Sequence, residues 1–347
     1  DVAVRGQGEE TFGKILTALM EETSLTEIPS MSWRDPKSGE CVINEMELEF
    51  NSDLDRLPSP YLKGLYDDLL ITRKDLNFQA ILETNRGCPF MCTFCYWGMG
   101  GLNRKFSFHG IDRISQEFEW CGKNGIVYVF NADSNFGQHN RDLDIVNALI
   151  RTKERFGYPE KFRTCYGKNT DEKIYAIARK LYENKLEKGI TLSRQSNDKE
   201  VLNIIKRGNI KMSTYMNLQK KFNERKIPVY SELILGLPGE SYESWIQGIE
   251  DLLQAGLKNQ LFVYLCQLLP NTELADQEYR KQHGIVTQRI ELNELHGSFR
   301  KLGETTEYED IIVTTQTMPL SDWKQMVVFS LTTMVMHSMK LAFFLML

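Results

Sequence analysis

Six strand-like runs separated by helix-like runs occupy residues 78–269 and restrict the chain to one class of architecture. The runs are FQAILET (78–84), GIVYVFN (125–131), KFRTCY (161–166), GITLSRQ (189–195), PVYSELILG (228–236) and LFVYLCQLL (261–269). Helix-like segments stand between them, such as DEKIYAIARKLYENKLEKG behind Thr170 and ESYESWIQGIEDLLQAG behind Gly239. Strands joined through helices are too far apart in the chain to pair as hairpins. They call for a parallel α/β sheet, open or closed toward a barrel. In such folds the chemistry gathers at the carboxyl ends of the strands.

The remaining segments are additions to that core. With 347 residues, 41% hydrophobic and 26% charged, the chain is globular and long enough for one large domain with additions or for two domains. Residues 1–25 read as a short apolar strand, a Gly turn and a helix with Phe12, Ile15, Leu16 and Leu19 on one face. One strand-helix unit cannot bury its own face, so it is expected to be the end of a domain that begins upstream. Residues 26–75, with Pro29, Pro36, Pro58 and Pro60 and the turn-forming DPKSGE, predict a linker containing a hairpin. The strand-helix core is assigned to 76–290 and an incomplete helical C-terminal segment to 291–347. Its last stretch, QMVVFSLTTMVMHSMKLAFFLML, is interrupted by His337 and Lys340 and diluted by Ser and Thr. That pattern favours a buried helix over a membrane span, which needs ~20 apolar residues in a row.

A formal net charge of −5 argues against nucleic acid as a partner, and no basic run exceeds pairs such as Lys220-Lys221. A small-molecule or peptide substrate is expected instead. No signal peptide is visible, and seven cysteines without a regular framework suit a reducing compartment, so the sequence predicts a cytoplasmic protein. Three of those cysteines are clustered in NRGCPFMCTFCYWG, residues 85–98, directly after the first strand-like run. A closed zinc site wants four Cys or His ligands in two short pairs, and here Cys41, Cys121, Cys165 and Cys266 are isolated. A cubane iron-sulfur cluster held by three thiolates keeps one iron open for another ligand. A non-enzymatic zinc or iron-sulfur module is the alternative of a different class.

The segment CPFMCTFC, with an aromatic residue before the third Cys, resembles the cluster loop of the radical S-adenosylmethionine superfamily. The resemblance implies a partial (β/α)6 TIM-type barrel in which Cys88, Cys92 and Cys95 hold a [4Fe-4S] cluster. The open iron would chelate S-adenosylmethionine, one-electron cleavage would release a 5′-deoxyadenosyl radical, and an electron donor such as flavodoxin or ferredoxin would be needed. Phe94 is similar to the aromatic residue beside the adenine. TLSRQS (191–196) resembles the fourth-strand motif of one branch of the family, which carries over Ser193, Gln195 and, twelve positions on, Arg207 as cofactor contacts. Arg207 would pair with the methionyl carboxylate and Gln195 would reach the ribose. SELILGLPGES (231–241) resembles the fifth-strand motif, with Glu232 accepting from the ribose hydroxyls. The Gly-Gly-Glu type motif of the second strand is replaced by FNADSNFG (130–137), where Asn131 and Asp133 are the candidates to hold the methionyl amine. Lys168, after the third strand, is a further candidate.

VAVRGQGEETFGKIL followed by LDRLPSPY is similar to the end of the Rossmann-like cobalamin-binding domain, and the linker after it, in the cobalamin-dependent branch. The resemblance implies methylation of an unactivated carbon, with cobalamin as a third cofactor. A cobalamin-free oxidation, rearrangement or methylthiolation is the alternative within the family.

Overall fold

A computed structural model of the chain describes residues 1–47, 52–99, 104–167, 172–292 and 306–341. All six expected strands form: Gln79–Leu82, Tyr128–Phe136, Lys161–Tyr166, Ile190–Gln195, Val229–Leu235 and Leu261–Leu265. They are the first to sixth parallel strands below. The first three make one sheet with the second strand in the middle, and the last three make another with the fifth in the middle, every pairing parallel. Third and fourth strands are adjacent but share no ladder among the described residues.

Period-2 patterning explains why each sheet has one buried face. Ala80, Leu82, Val129, Phe162, Ile190, Leu192, Val229, Leu233 and Leu261 are buried, while the residues alternating with them are half-buried or exposed. Amphipathic helices cover the buried side. Helix Ile111–Lys123 buries Ile114, Phe118 and Cys121 at helical spacing, and Arg141–Phe156 buries Ile145, Val146 and Leu149. Helix Glu172–Glu183 joins the two halves, since Ile177 and Leu181 pack in the first core and Ile174 and Ala178 in the second. Helix Tyr242–Gln254 opens with a capping box between Ser241 and Ser244 and buries Trp245, Ile249 and Leu252.

The flanking segments differ from the sequence expectation in two places. The hairpin Met31–Arg34 with Cys41–Ile43 forms around Asp35, whose carboxylate accepts from Lys37 N at 3.0 Å and Ser38 Oγ at 2.9 Å. Met31–Arg34 also pairs antiparallel with Val2–Val4, so one sheet runs across the boundary drawn at residue 25. The second difference is at the C-terminal end. Residues Tyr308–Thr314 form a strand, not a helix, and pair antiparallel with Val286–Glu291. The cause is a long-range docking site: Ile311 and Ile312 are buried, and Ile312 N donates to Cys266 O at 2.9 Å just past the sixth strand. Helix Leu320–Thr333 follows and packs on Tyr242–Gln254, with Trp245 Nε1 donating to Ser330 Oγ at 2.9 Å. Among the described residues no helix is long and apolar enough to cross a membrane.

The turn entering the cysteine loop is sterically tight. Gly87 has φ +121°, and a Cβ there would lie 2.4 Å from Lys105 O. Gly157, at a helix C-terminus with φ +79°, has open space around it. Gly157→Ala is therefore expected to cost only the left-handed penalty, ~1–2 kcal/mol, and Gly87→Ala distinctly more because backbone must also move. Urea unfolding of the two variants measures the difference. Equal losses would show that the Lys105 contact relaxes freely.

Candidate functional site

The site is built where the first strand runs out. Thr84 and Asn85 are buried, and both are fastened to Asp133 of the second strand. Thr84 N and Asn85 N donate to Asp133 Oδ1 at 2.7 and 3.1 Å, Asn85 Nδ2 donates to Oδ2 at 2.7 Å, and the Thr84 hydroxyl makes a further short bond. Burial pushes the Asp133 carboxyl above its usual range, while these donors pull it back. Ser134 Oγ donates to Gly87 O at 2.6 Å, and Asn135 Nδ2 donates to Cys88 Sγ at 3.2 Å. Three successive residues of one strand therefore hold the entrance of the loop.

The far side of the loop is clamped by the other half of the molecule. Thr93 N donates to Ile205 O at 3.1 Å, and Thr93 O accepts from Leu274 N at 2.9 Å. Cys88 and Cys92 are buried and Cys95 is half-buried, with Cys95 N donating to Cys92 O at 3.0 Å. Phe94 packs against the core that contains Val201, Ile205, Leu237 and Cys266. Among the described residues no three His, Cys, Asp or Glu side chains surround a single point. In a cubane each thiolate meets its own iron, so its three sulfurs stand wider apart than the ligands of one zinc ion.

The fourth and fifth strands bring the remaining polar groups to this place. Arg207 is 5% exposed; burial lowers its pKa, and Cys92, through its charge and a hydrogen bond to the guanidinium, opposes that shift together with Cys95 and Glu232. Arg207 Nη2 donates to Ser193 O at 3.0 Å and Nε to Asn209 Oδ1 at 3.0 Å, while Nη1 is buried without a partner. Between the two strands the register slips: Glu232 faces Ser193 but Leu233 faces Gln195. Arg194 is the extra residue, and Gln195 takes φ 65°, unusual for a residue with a side chain. Gln195 Oε1 is buried and unpartnered, and Ser193 Oγ donates to Glu232 Oε2.

The structure thus gathers Cys88, Cys92, Cys95, Ser193, Arg207 and Glu232, with Gln195 at the bulge beside them. Asn131 and Asp133, the candidates for the methionyl amine, are engaged within the protein, although Asn131 Oδ1 is buried without a partner. They alternate with Val129 on the buried side of the second strand; Asn131 Nδ2 donates to Thr164 Oγ1 at 3.0 Å, and the Asp133 oxygens are occupied by Thr84 and Asn85. Lys168 lies outside the described residues. Two further residues reach this place without any signal in the sequence. Asn135, within the noted FNADSNFG segment, reaches a cysteine sulfur. Glu240, in the fifth-strand turn, accepts from Ser196 Oγ at 2.7 Å and Ser244 Oγ at 2.5 Å and so ties the fourth-strand exit to the next helix.

The sequence profile described as Radical SAM superfamily matches residues 82–252. The chain is 34% identical over 343 residues to the cobalamin-dependent radical SAM methyltransferase TokK of Streptomyces tokunonensis, covering 97% of this chain and 49% of that protein. It is 34% identical over 328 residues to the 2-(S-pantetheinyl)-carbapenam-3-carboxylate methyltransferase of Streptantibioticus cattleyicolor, covering 93% of this chain and 47% of that protein. The chain spans about half the length of these curated relatives. A solved structure of the radical S-adenosylmethionine methyltransferase TsrM from Kitasatospora setae, with cobalamin and a [4Fe-4S] cluster bound, has a TM-score of 0.65 at 16% identity, covering 96% of this chain and 68% of that one. That likeness shows a shared fold.

Burial raises the Glu240 carboxyl from 4.5 to about 7. The folded state holds its proton where the unfolded chain has lost it, so this contribution to stability is fully present below pH ~4.5 and fades as pH rises toward 7. Glu240→Gln keeps hydrogen-bonding capacity to both serines and removes the titration. Its stability relative to wild type should rise between pH 4.5 and 7, by on the order of 3 kcal/mol at most. Parallel pH-stability curves for the two proteins would overturn the assignment.

Proposed function

The chain belongs to the radical SAM superfamily, and on that premise we propose that it is the catalytic core of a cobalamin-dependent radical SAM methyltransferase. The observation that carries the proposal is the set of three thiols on one clamped loop with the buried Arg207 beside two of them. A cluster and S-adenosylmethionine fit this chemistry: Arg207 Nη1 and Gln195 Oε1 are buried polar atoms without protein partners. Groups of this kind are retained when a ligand completes them. Bound there, the cofactors supply one-electron cleavage of S-adenosylmethionine and, with cobalamin, a transferable methyl group.

The protein's own residues position and insulate. Cys88, Cys92 and Cys95 would hold the cluster, and the Asn135 amide would donate to the Cys88 sulfur, a contact that raises the potential of iron-sulfur centres. Arg207 would give its free Nη1 to the methionyl carboxylate, and Gln195 and Glu232 would orient the ribose, with Ser193 fixing the Glu232 rotamer. Phe94 would flank the adenine. We read the two three-stranded sheets as halves of an open (β/α)6 barrel over 76–290. Residues 1–25, together with the hairpin strand that pairs with them, would be the end of a Rossmann-like cobalamin-binding domain, the rest of 26–75 its linker and 291–347 a flanking segment.

The substrate class would be that of the relatives, a small molecule such as a carbapenam carboxylate, methylated at unactivated carbon. The reductant would be flavodoxin or ferredoxin in the cytoplasm.

Anaerobic reconstitution with iron, sulfide, S-adenosylmethionine and a strong reductant should yield 5′-deoxyadenosine; none from an iron-loaded protein would reject radical chemistry. Cys92→Ala should lose the cluster, while Cys121→Ala, in the core between helices, should keep it. Wild-type iron and sulfide in the Cys92 variant would sink the ligand assignment. Arg207→Ala should keep the cluster and weaken S-adenosylmethionine binding by ~1.5–3 kcal/mol. Unchanged affinity would remove Arg207 from the cofactor site. Transfer of labelled methyl from methylcobalamin separates methylation from a cobalamin-free reaction.

A further inference from the structure

The faces of the two sheets that no helix covers among the described residues carry an arrangement that the cluster and its cofactors leave unused. Arg163 is at the centre of the third strand, paired in register with Phe130, and its side chain is exposed on this open face. Its guanidinium makes no hydrogen bond and no ion pair among the described residues. Around it, within electrostatic reach, are Tyr128, Tyr230 and Tyr264, together with Cys165 and Glu187. Phe262 lies against both Tyr230 and Tyr264, ring centroids 6.3 Å apart in each case. An arginine on a strand interior with tyrosines within electrostatic reach is well placed to take a carboxylate.

Two carboxyl groups of this neighbourhood are engaged elsewhere. Glu187 accepts from the Tyr166 hydroxyl and makes no ion pair with Arg163; burial raises its pKa to about 8, while the nearby Arg163 opposes the rise. Glu232 takes a bond from Ser193 and is two residues along the fifth strand from Tyr230, toward the cofactor groups. Arg163 thus has neither a hydrogen-bond nor an ion-pair partner among the described residues.

We propose that Arg163 anchors a substrate subsite on the open face, where its planar fork takes a carboxylate of the small molecule while Tyr128, Tyr230 and Tyr264 cover its apolar body. The proposal rests on the methyltransferase reading above and deepens it, since it says which end of the substrate is held and by what. Arg163 is three residues before the end of its strand, roughly 10 Å below the level of the cofactor groups at 3.3 Å per residue. A carboxylate held there points the rest of the molecule toward the strand ends, where the reacting carbon must be presented.

The test uses the reconstituted holoenzyme and two probes, 2-(S-pantetheinyl)-carbapenam-3-carboxylate and its 3-methyl ester, with dissociation constants measured by calorimetry. Wild type should prefer the acid at least tenfold. Arg163→Met should bring the acid down to the level of the ester, and Arg163→Lys should recover part of the preference, while iron content and melting temperature stay at wild-type values in both. Equal affinity for acid and ester in wild type, an undiminished preference in Arg163→Met, or binding of neither probe would overturn the proposal. Absence of 5′-deoxyadenosine from the wild-type holoenzyme would instead defeat the underlying enzymatic reading, and the acid-over-ester ratio is read independently of it.

Discussion

Everything at the site hangs from one buried carboxylate. Asp133 spends its oxygens on two consecutive residues, taking both backbone N–H groups and both side chains of Thr84 and Asn85. A carboxylate that accepts so many donors in a buried setting is costly to strip and therefore rigid. It determines where the chain leaves the first strand, and hence where Cys88 begins. Ser134 and Asn135 repeat the fastening one and two residues later, on Gly87 O and the Cys88 sulfur. The second strand thus acts as a template for the loop, and its length, through Phe136, is what allows three neighbouring residues to serve.

Because that end is fixed, the other end can bind the halves of the molecule together. Thr93 offers its N–H to Ile205, after the fourth strand, and its carbonyl to Leu274, after the sixth. The third and fourth strands share no ladder among the described residues, so the cysteine loop and helix Glu172–Glu183 carry much of the contact between the two sheets. Loss of the loop's order would therefore be felt in the relative placement of Arg207 and Cys92, not only in the loop itself. Metal ligands are commonly oriented by such outer contacts, and here those contacts are backbone bonds that no side-chain substitution at Thr93 would remove.

The six strands were legible because each is a short β-branched or aromatic run between turn residues, and the cysteine loop because its spacing excludes the common alternatives. Asn131 and Asp133 show where such reading stops. The sequence pattern ended the second strand at Asn131, leaving the next residues to face a ligand. The strand in fact continues to Phe136, and its pleat sends 129, 131 and 133 to the helix side. Asn135 is buried as well, yet it reaches the Cys88 sulfur, beyond the point where the register with the third strand shifts, which no local pattern announces. The C-terminal strand was hidden for a different reason. Tyr308–Thr314 is stabilised by pairing with Val286–Glu291 and by the seat of Ile312 beside Cys266, both distant in sequence. Arg207 and Glu232 enter as candidates only through a resemblance, since nothing in their own sequence surroundings marks them.

The bulge between the fourth and fifth strands shows how strain and polarity are combined at the mouth. With Arg194 as the extra residue, its side chain leaves the ligand side entirely, stacking 5.4 Å over Tyr215 and donating to Asn197 Oδ1 and Ile210 O at 2.7 Å each. That network is buried and satisfied, so it can hold the irregular backbone against its tendency to return to a regular ladder. Gln195 bears the consequence, a left-handed φ with a buried, unpartnered oxygen. A regular strand would have spared both costs. Strained backbone beside an unfilled polar atom persists where the surrounding structure over-determines it. Here the over-determination comes from two sides, Arg194 behind the strand and the Asn209 amide, which donates to Arg194 O and Ser196 O on either side of Gln195 at 2.8 and 3.0 Å. Asn209 also accepts from Arg207 Nε. The residue that fixes the bulge thus also aims Arg207, so the geometry of Gln195 and that of the arginine beside the cysteines are set by one amide.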